Sequence, residues 1–444
     1  MKATCDVAIV GAGVAGLAAM RTLEEHGLRT LVVEARERIG GRILTVHDPR
    51  LAHPIELGAE FVHGSAPEIE EIIGEARLLA LQVEGERWRA RGGRLTRLHE
   101  FWKRLDTVMR RLDGKDPDRS FADFLDDAPG GRGATDARRL AHQFVEGFHA
   151  ADARRISAKA LADGGSPGDD EEEQRMMRFA SGYDAVPAFL ASGFFDRIVT
   201  GSVVERIGWE RTAVELSVRR ANASRPSTIA ARAAIVTIPL GVLLASAGEV
   251  GTIDFSPPLT VLDEARSCLT MGAVVRVILM FRERWWTEQL RSLPGDASLE
   301  CMSFLHGDSA EVPVWWSLHP AHLPVLVGWA GGPAAQRLSG LSPSEVADRG
   351  LASLASHLGV SRRRVSSQLE HCWTHDWQRD PLSRGAYSYA LVGGAEFAPK
   401  LARSIQGTLW LAGEAADGEG RNGTVHGAIG SGRHAARSVI RALQ

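Results

Sequence analysis

The spacing of apolar residues changes several times along the chain, and each change predicts an element. Residues 7–10, Val-Ala-Ile-Val, form an unbroken apolar run of buried-strand length, followed by a glycine-rich stretch at 11–16. Helical spacing then holds to Gly27, and a second apolar run at 31–33 ends on Glu34. Strand, glycine turn, helix and strand make a βαβ unit. From about residue 67 to 195 the spacing is helical, as at Phe101, Leu105, Met109 and Leu112, which predicts a mostly helical insertion. Strand-like runs return at 198–207, 213–218 and 233–238, where Pro239 and Gly241 stop them, and again at 274–281. A helix is predicted over 343–358. A last strand at 409–412 meets Gly413-Glu414, and a glycine-spaced helix over 424–443 closes the sequence.

The composition narrows the class. With 444 residues, 44% hydrophobic and 24% charged, the chain reads as globular with a large core, which excludes disordered, collagenous and small disulfide-stapled proteins. A net charge of -3 gives no global field for nucleic acid or an anionic membrane. Cys5, Cys268, Cys301 and Cys372 have no C-x-x-C spacing, and neither a secretory signal nor a membrane span is visible, so a cytoplasmic protein is expected. Five consecutive acids, residues 169–173, read as a solvated loop or as an acidic lip for cationic substrates. His371-Cys372-x-x-His375-Asp376 lacks the two spaced ligand pairs of a zinc site, so no metal is expected. Tryptophan is plentiful, with five residues (285, 286, 315, 316 and 329) in one region, whereas tyrosine occurs only at 183, 387 and 389.

Gly11-Ala12-Gly13-Val14-Ala15-Gly16 fits G-x-G-x-x-G between a predicted strand and a predicted helix. Such glycines allow a tight turn, close approach of a pyrophosphate and close helix packing, and the helix N-terminus favours the anion. Glu34, at the end of the second strand, is placed to accept from ribose hydroxyls. The sequence continues as Glu34-Ala35-Arg36-Glu37-Arg38-Ile39-Gly40-Gly41-Arg42. This stretch resembles the extended FAD signature of glutathione-reductase-like flavoproteins, in which the Gly-Gly-Arg segment passes the flavin.

Further segments carry a wider resemblance. Glu56-Leu57-Gly58-Ala59-Glu60-Phe61-Val62-His63-Gly64, residues 236–243, residues 377–389, Leu411-Ala412-Gly413-Glu414 and residues 424–432 are similar to motifs of the flavin-containing amine oxidases. The chain is identified as a member of the monoamine oxidase, polyamine oxidase and histone demethylase superfamily, nearest to bacterial flavin monoamine and polyamine oxidases. The resemblance implies a mixed α/β fold. A Rossmann FAD unit (1–74, 196–252 and 396–444) would interleave with a substrate unit of mixed sheet and helices (75–195 and 253–395).

It also implies roles. Glu34, with Ala35 and Arg36, would hold the adenosine ribose. Gly11, Gly13, Val14, Ala15, Gly16, Gly41, Arg42, Gly413 and Glu414 would surround the pyrophosphate and ribityl chain, and Val204 would meet adenine through its backbone. Gly58, Ala59, Glu60 and Phe61 would run beside the flavin ring, with Val425 at flavin O2. Tyr387 would be half of an aromatic cage whose other position is Thr424, with Trp377 packed by the flavin and His63 near the substrate. Glu60 is also a candidate partner for a distal ammonium.

Three departures from the family pattern shape the expectation. The family lysine that serves reaction with dioxygen reads Arg276, and a guanidinium cannot act as an amine could. The cysteine that anchors flavin in monoamine oxidases reads Ala386, so FAD is expected to be non-covalent. The arginine that binds the carboxylate in amino-acid oxidases is missing after Leu-Gly-Ala, which favours a cationic or neutral amine. The expected reaction is FAD-dependent oxidation of a small-molecule amine, with dioxygen as acceptor. The alternatives are a dehydrogenase using a protein or quinone acceptor and a catalytically silent flavin-binding module.

Overall fold

A computed structural model describes residues 4–127, 132–164, 174–220, 223–290, 298–309 and 311–444. The acid run at 169–173 lies outside the described residues.

Val7–Val10 is the central strand of a five-stranded parallel sheet. Thr30–Val33 and Ala233–Val236 flank it, with Ile198–Val199 and Leu409–Leu411 outside them. These strands are nearly continuous apolar runs because both faces are covered, as parallel sheets require. One face packs on the helices Val14–Glu25 and Val425–Leu443, which touch each other. Their backbones meet at Gly432, where a Cβ would lie 2.1 Å from the Ala15 carbonyl oxygen. The other face packs on a four-stranded sheet of Ser202–Glu210, Ala213–Arg220, Ser227–Ala231 and Asp254–Ser256.

A seven-stranded sheet forms the other centre. Its order is Leu369–Asp376, Val274–Phe281, Val325–Gly331, Val314–Ser317, Met302–Gly307, Glu86–Arg91 and Arg94–Arg97. Strand alternation divides its residues. Val275, Val277, Leu279, Trp315, Leu305 and Trp88 join the core that includes Leu351 and Leu354 of the helix Pro343–Leu358. A capping box at Ser342 and Glu345 starts that helix. Arg276, Trp329, Trp316, Phe304, His306 and Arg87 occupy the alternate positions and line a cavity.

The insertion expected to be mostly helical contains Phe101–Met109, Phe121–Asp126, Arg132–Phe148 and Ala158–Asp163, but also four strands, among them Glu86–Arg91, Arg94–Arg97 and Met176–Phe179. The hairpin at 86–97 is rich in arginine, a good helix former. It turns at Gly92 and Gly93, whose φ values of 56° and 74° suit glycine. Segments 176–191 and 254–269 also pack into the cores around the parallel sheet.

Candidate functional site: a glycine cradle joined to an aromatic chamber

A cavity of about 1160 Å³ runs from the glycine turn to the helical insertion. Its first half is built from backbone. Gly11 has φ +102°, and a Cβ on Gly16 would sit 2.0 Å from the Gly11 carbonyl oxygen, so both positions exclude side chains. A Cβ on Gly13 would meet nothing within 4 Å. The turn is therefore tight at two glycines and open at the middle one, where the helix N-terminus begins. Thr237 Oγ1 donates to the Val10 and Gly11 carbonyls at 2.9 and 3.1 Å and pins the turn to the neighbouring strand. Gly13 also bridges to Gly40, which brings the Gly40-Gly41-Arg42 loop over the turn. Arg38 holds that loop by donating to the carbonyls of Ile39, Gly41 and Ile43.

The charged residues proposed to touch a nucleotide have protein partners. Glu34 accepts from the N–H groups of Ala12 at 2.7 Å and Arg36 at 2.8 Å, and its burial pushes its carboxyl upward. Arg36 pairs with Asp380 at 2.8 Å. Arg42 donates to the Ala386 carbonyl and to Glu414. Buried Glu414 also accepts from the Ser388 hydroxyl at 2.6 Å and from Gly423 N–H at 3.1 Å. The Glu414 carboxylate thus ties three segments together at the cavity wall. Thr424, expected as a cage residue, is the N-cap of the last helix. Its hydroxyl accepts from Gly427 N–H at 3.0 Å and donates to the Arg421 carbonyl at 2.6 Å. The free N–H groups of that first turn, Val425 included, lie at the cavity wall. Val204 and Ala35 line the same half.

The second half is built from side chains distant in sequence. Arg276, 3% exposed, ion-pairs with Glu60 at 3.1 Å and donates to the Glu56 carbonyl. It lies over Trp316 and Trp329, 5.5 and 5.2 Å from their ring centroids. Glu60 accepts from Arg178 at 2.7 and 3.0 Å and from Trp316 Nε1 at 3.0 Å. Glu60 is thus saturated by two guanidinium groups and an indole, and it offers no charge to a distal ammonium. Trp377, buried, donates to the Leu57 carbonyl at 2.9 Å, and Tyr387 donates to the Phe148 carbonyl at 2.5 Å. Phe61 and Phe148 pack on His63 at 5.7 and 5.1 Å. Burial pushes His63 and His149 down to about 4, so both are neutral near pH 7. His375, read with the metal-like cluster, instead faces Asp380 at 3.2 Å.

The proposed site residues other than Gly16 therefore line one cavity, with Arg276, Trp377, Tyr387 and His63 beyond the glycine cradle. The sequence reading missed Thr237, Arg38, Arg178 and Phe148. An arginine inside the apolar strand Met176–Phe179 was the one visible signal, for Arg178.

The flavin-containing amine oxidoreductase family matches residues 14–440, nearly the whole chain. The chain belongs to this family. It is 28% identical to polyamine oxidase 2 of Arabidopsis thaliana, over 97% of this chain and 87% of that protein. It is 27% identical to human lysine-specific histone demethylase 2, over 92% of this chain but only half of that longer protein. The structure of putrescine oxidase bound to putrescine superposes with a TM-score of 0.80 at 22% identity, covering 98% and 99% of the two chains. Cyclohexylamine oxidase from Brevibacterium oxydans gives 0.78 at 21%, with 99% of each chain covered. The amine oxidoreductase fold is thus shared across the full length, and the protein is an FAD-dependent enzyme of this class.

The residues present fit FAD. The open space at Gly13, the first-turn N–H groups of two helices and the strand-end carboxylate of Glu34 line one cavity, and these are groups that a dinucleotide needs. Among the described residues, no helix is long and apolar enough to cross a membrane.

Proposed function

We propose that the chain oxidises a small-molecule amine at the junction of the two halves of the cavity. The observation that carries this reading is the continuity of the glycine cradle with a chamber walled by Trp377, Tyr387, Phe61, Trp316 and Trp329. Bound FAD would supply the hydride acceptor for the carbon beside a neutral amine nitrogen, and water would hydrolyse the released imine to an aldehyde. The absence of a cysteine at Ala386 supports non-covalent attachment.

The chain's own residues select the reactive form. Arg276 is a fixed cation, and its field lowers the affinity of a nearby ammonium for its proton. Neutral His63 and His149 add no opposing charge. Trp377 and Tyr387 exclude water from the slot and hold the C–H bond in place. Gly58 lies so close to the Arg42 carbonyl oxygen, 2.0 Å from where a Cβ would be, that the Leu57-Gly58-Ala59 segment forms a fixed wall.

Dioxygen is the first reading for the acceptor. The clamp on Arg276 favours a second, a protein or quinone acceptor, because this guanidinium is held by Glu60, the Glu56 carbonyl and two indoles. Anaerobic reduction by a panel of mono-, di- and polyamines, followed by air or by a dye, tests both. Bleaching by at least one amine is required for the function proposed. Slow reoxidation in air with fast reoxidation by dye, together with a gain in the air rate of about tenfold or more in Arg276→Lys, would establish the second acceptor reading.

A further inference from the structure

Among the described residues, the chamber's far end holds a cation without a counter-ion. Glu86–Arg91 runs parallel to Met302–Gly307, with Arg87 in register with Phe304 and Phe304 in register with Trp316. The Arg87 guanidinium carbon lies 5.6, 5.4 and 5.4 Å from the ring centroids of Phe101, Trp102 and Phe304. Among the described residues no carboxylate or carbonyl accepts a hydrogen bond from Arg87. The other acids on the cavity wall do not reach it. Glu60 is taken by Arg178 and Arg276, Glu146 faces His142, and neither Asp163 nor Asp308 comes within ion-pair distance. His306 stacks on Phe101 at 5.2 Å in the same chamber, and its Nε2 has no hydrogen-bond partner.

Arg87 is half-buried, and the aromatic faces around it return only part of the hydration that its guanidinium loses there. Arg87 keeps unused planar donors that suit a carboxylate. The same arrangement repels a second ammonium, so a diamine or polyamine would place its distal charge against the wrong sign. The strand carrying Arg87 is fourth from the strand carrying Arg276, about 19 Å away at ordinary strand spacing. The interval is lined by Trp329, Trp316, Phe304 and Phe61, which is an apolar path.

We propose that the substrate is an amine whose far end bears a carboxylate, separated from the reacting nitrogen by an extended apolar segment, and that Arg87 binds that carboxylate. Arg87 is thus a specificity residue, remote from the reacting atoms. The inference rests on the reading of this chamber as an amine-oxidising site, and it narrows the amine to one class.

The test uses three ladders of equal chain length on the FAD-loaded protein: n-alkylamines, α,ω-diamines and ω-amino carboxylates, from four to eleven carbons. Anaerobic flavin bleaching and steady-state kcat/KM with a dye acceptor are measured for each. At the best length the carboxylate should exceed the alkylamine by at least about tenfold, with the diamine poorest. In Arg87→Met the carboxylate-to-alkyl ratio should fall to about one, mainly through KM, and in Arg87→Lys it should be intermediate. The readout is a ratio within each protein, so a general loss of activity cancels. If alkylamines or diamines are oxidised and no carboxylate is preferred at any length, the inference falls and amine oxidation stands. An Arg87→Met protein that keeps the wild-type preference also overturns it. Failure of every ladder to bleach the flavin would remove the amine-oxidising reading, and the inference with it.

Discussion

The two halves of the cavity are specified in different ways. The cofactor half is made of backbone, and its side chains are mostly absent or turned to one another. At Gly11 the restriction is a φ of +102°, and at Gly16 and Gly58 it is steric, set by backbone carbonyls. The substrate half is made of side chains whose partners lie 118 residues away for Arg178 and Glu60, and 256 for Trp316 and Glu60. Backbone restrictions tolerate almost no substitution, whereas side-chain clusters can be retuned one residue at a time. A family with one cofactor and many amines needs both properties.

The largest effect expected on this comparison comes from the cradle. Gly16→Ala would drive a Cβ against the Gly11 carbonyl, so the protein should be insoluble or colourless. A Cβ on Gly13 meets no protein atom within 4 Å, in the space that we propose for the pyrophosphate. Gly13→Ala should fold with an unchanged circular dichroism spectrum, yet purify with little flavin by its absorbance near 450 nm. A Gly13→Ala protein with wild-type flavin content, or a Gly16→Ala protein with wild-type solubility and stability, would refute the division between a structural and a ligand-facing glycine.

The next effect comes from the chamber. Glu60→Gln leaves Arg178 and Arg276 without their shared carboxylate in a site that is 3% exposed on each side. Breaking a buried ion pair on one side costs about 3–5 kcal/mol. Denaturant unfolding should show a loss of that order. A loss below about 1 kcal/mol would mean that water reaches the triad and that the chamber is not dry.

These outcomes also explain what was legible in the sequence. The glycine turn, Glu34 and the closing Gly413-Glu414 are local patterns, and a local pattern constrains a backbone directly. The partner of Glu60 was not legible, because nothing near residue 60 announces an arginine at 178 or 276. Thr424 shows a subtler limit. Its position in a motif was visible, but its hydroxyl is used in capping the last helix. Likewise, the arginine-rich hairpin at 86–97 reads as helix by propensity, and only Gly92-Gly93 mark its turn. The residue that we assign to substrate choice, Arg87, lies inside that misleading stretch.

A smaller effect separates the halves by pH. His63 and His149 are pushed down to about 4, and His306, in the same chamber, to about 3, all chiefly by burial. Between these values and the ordinary 6.5 the unfolded chain binds more protons than the folded one. Stability should therefore be full above pH 6.5 and fall as the pH drops toward 4. Glu56, raised to about 7 by burial, acts oppositely between 4.5 and 7 and offsets part of the loss. Thermal unfolding at pH 7.5 and 5 should show several degrees of net destabilisation in acid. Phenylalanine at position 306 should reduce that pH dependence. An unchanged slope would place the acid sensitivity elsewhere.

The smallest effect concerns Tyr387, where the structure changes what the residue is expected to do. Its ring walls the slot, but its hydroxyl donates to the Phe148 carbonyl at the end of Arg132–Phe148 and so joins the chamber wall at residue 387 to the helical insertion. Removing the hydroxyl should cost about 1 kcal/mol of stability. Tyr387→Phe should also keep kcat within about threefold of wild type, because the ring surface persists. If kcat instead falls by 100-fold while KM is unchanged, the hydroxyl acts in the chemical step. A change in KM alone would show that the link to Phe148 sets the width of the slot, which would tie the position of the helical insertion to substrate fit.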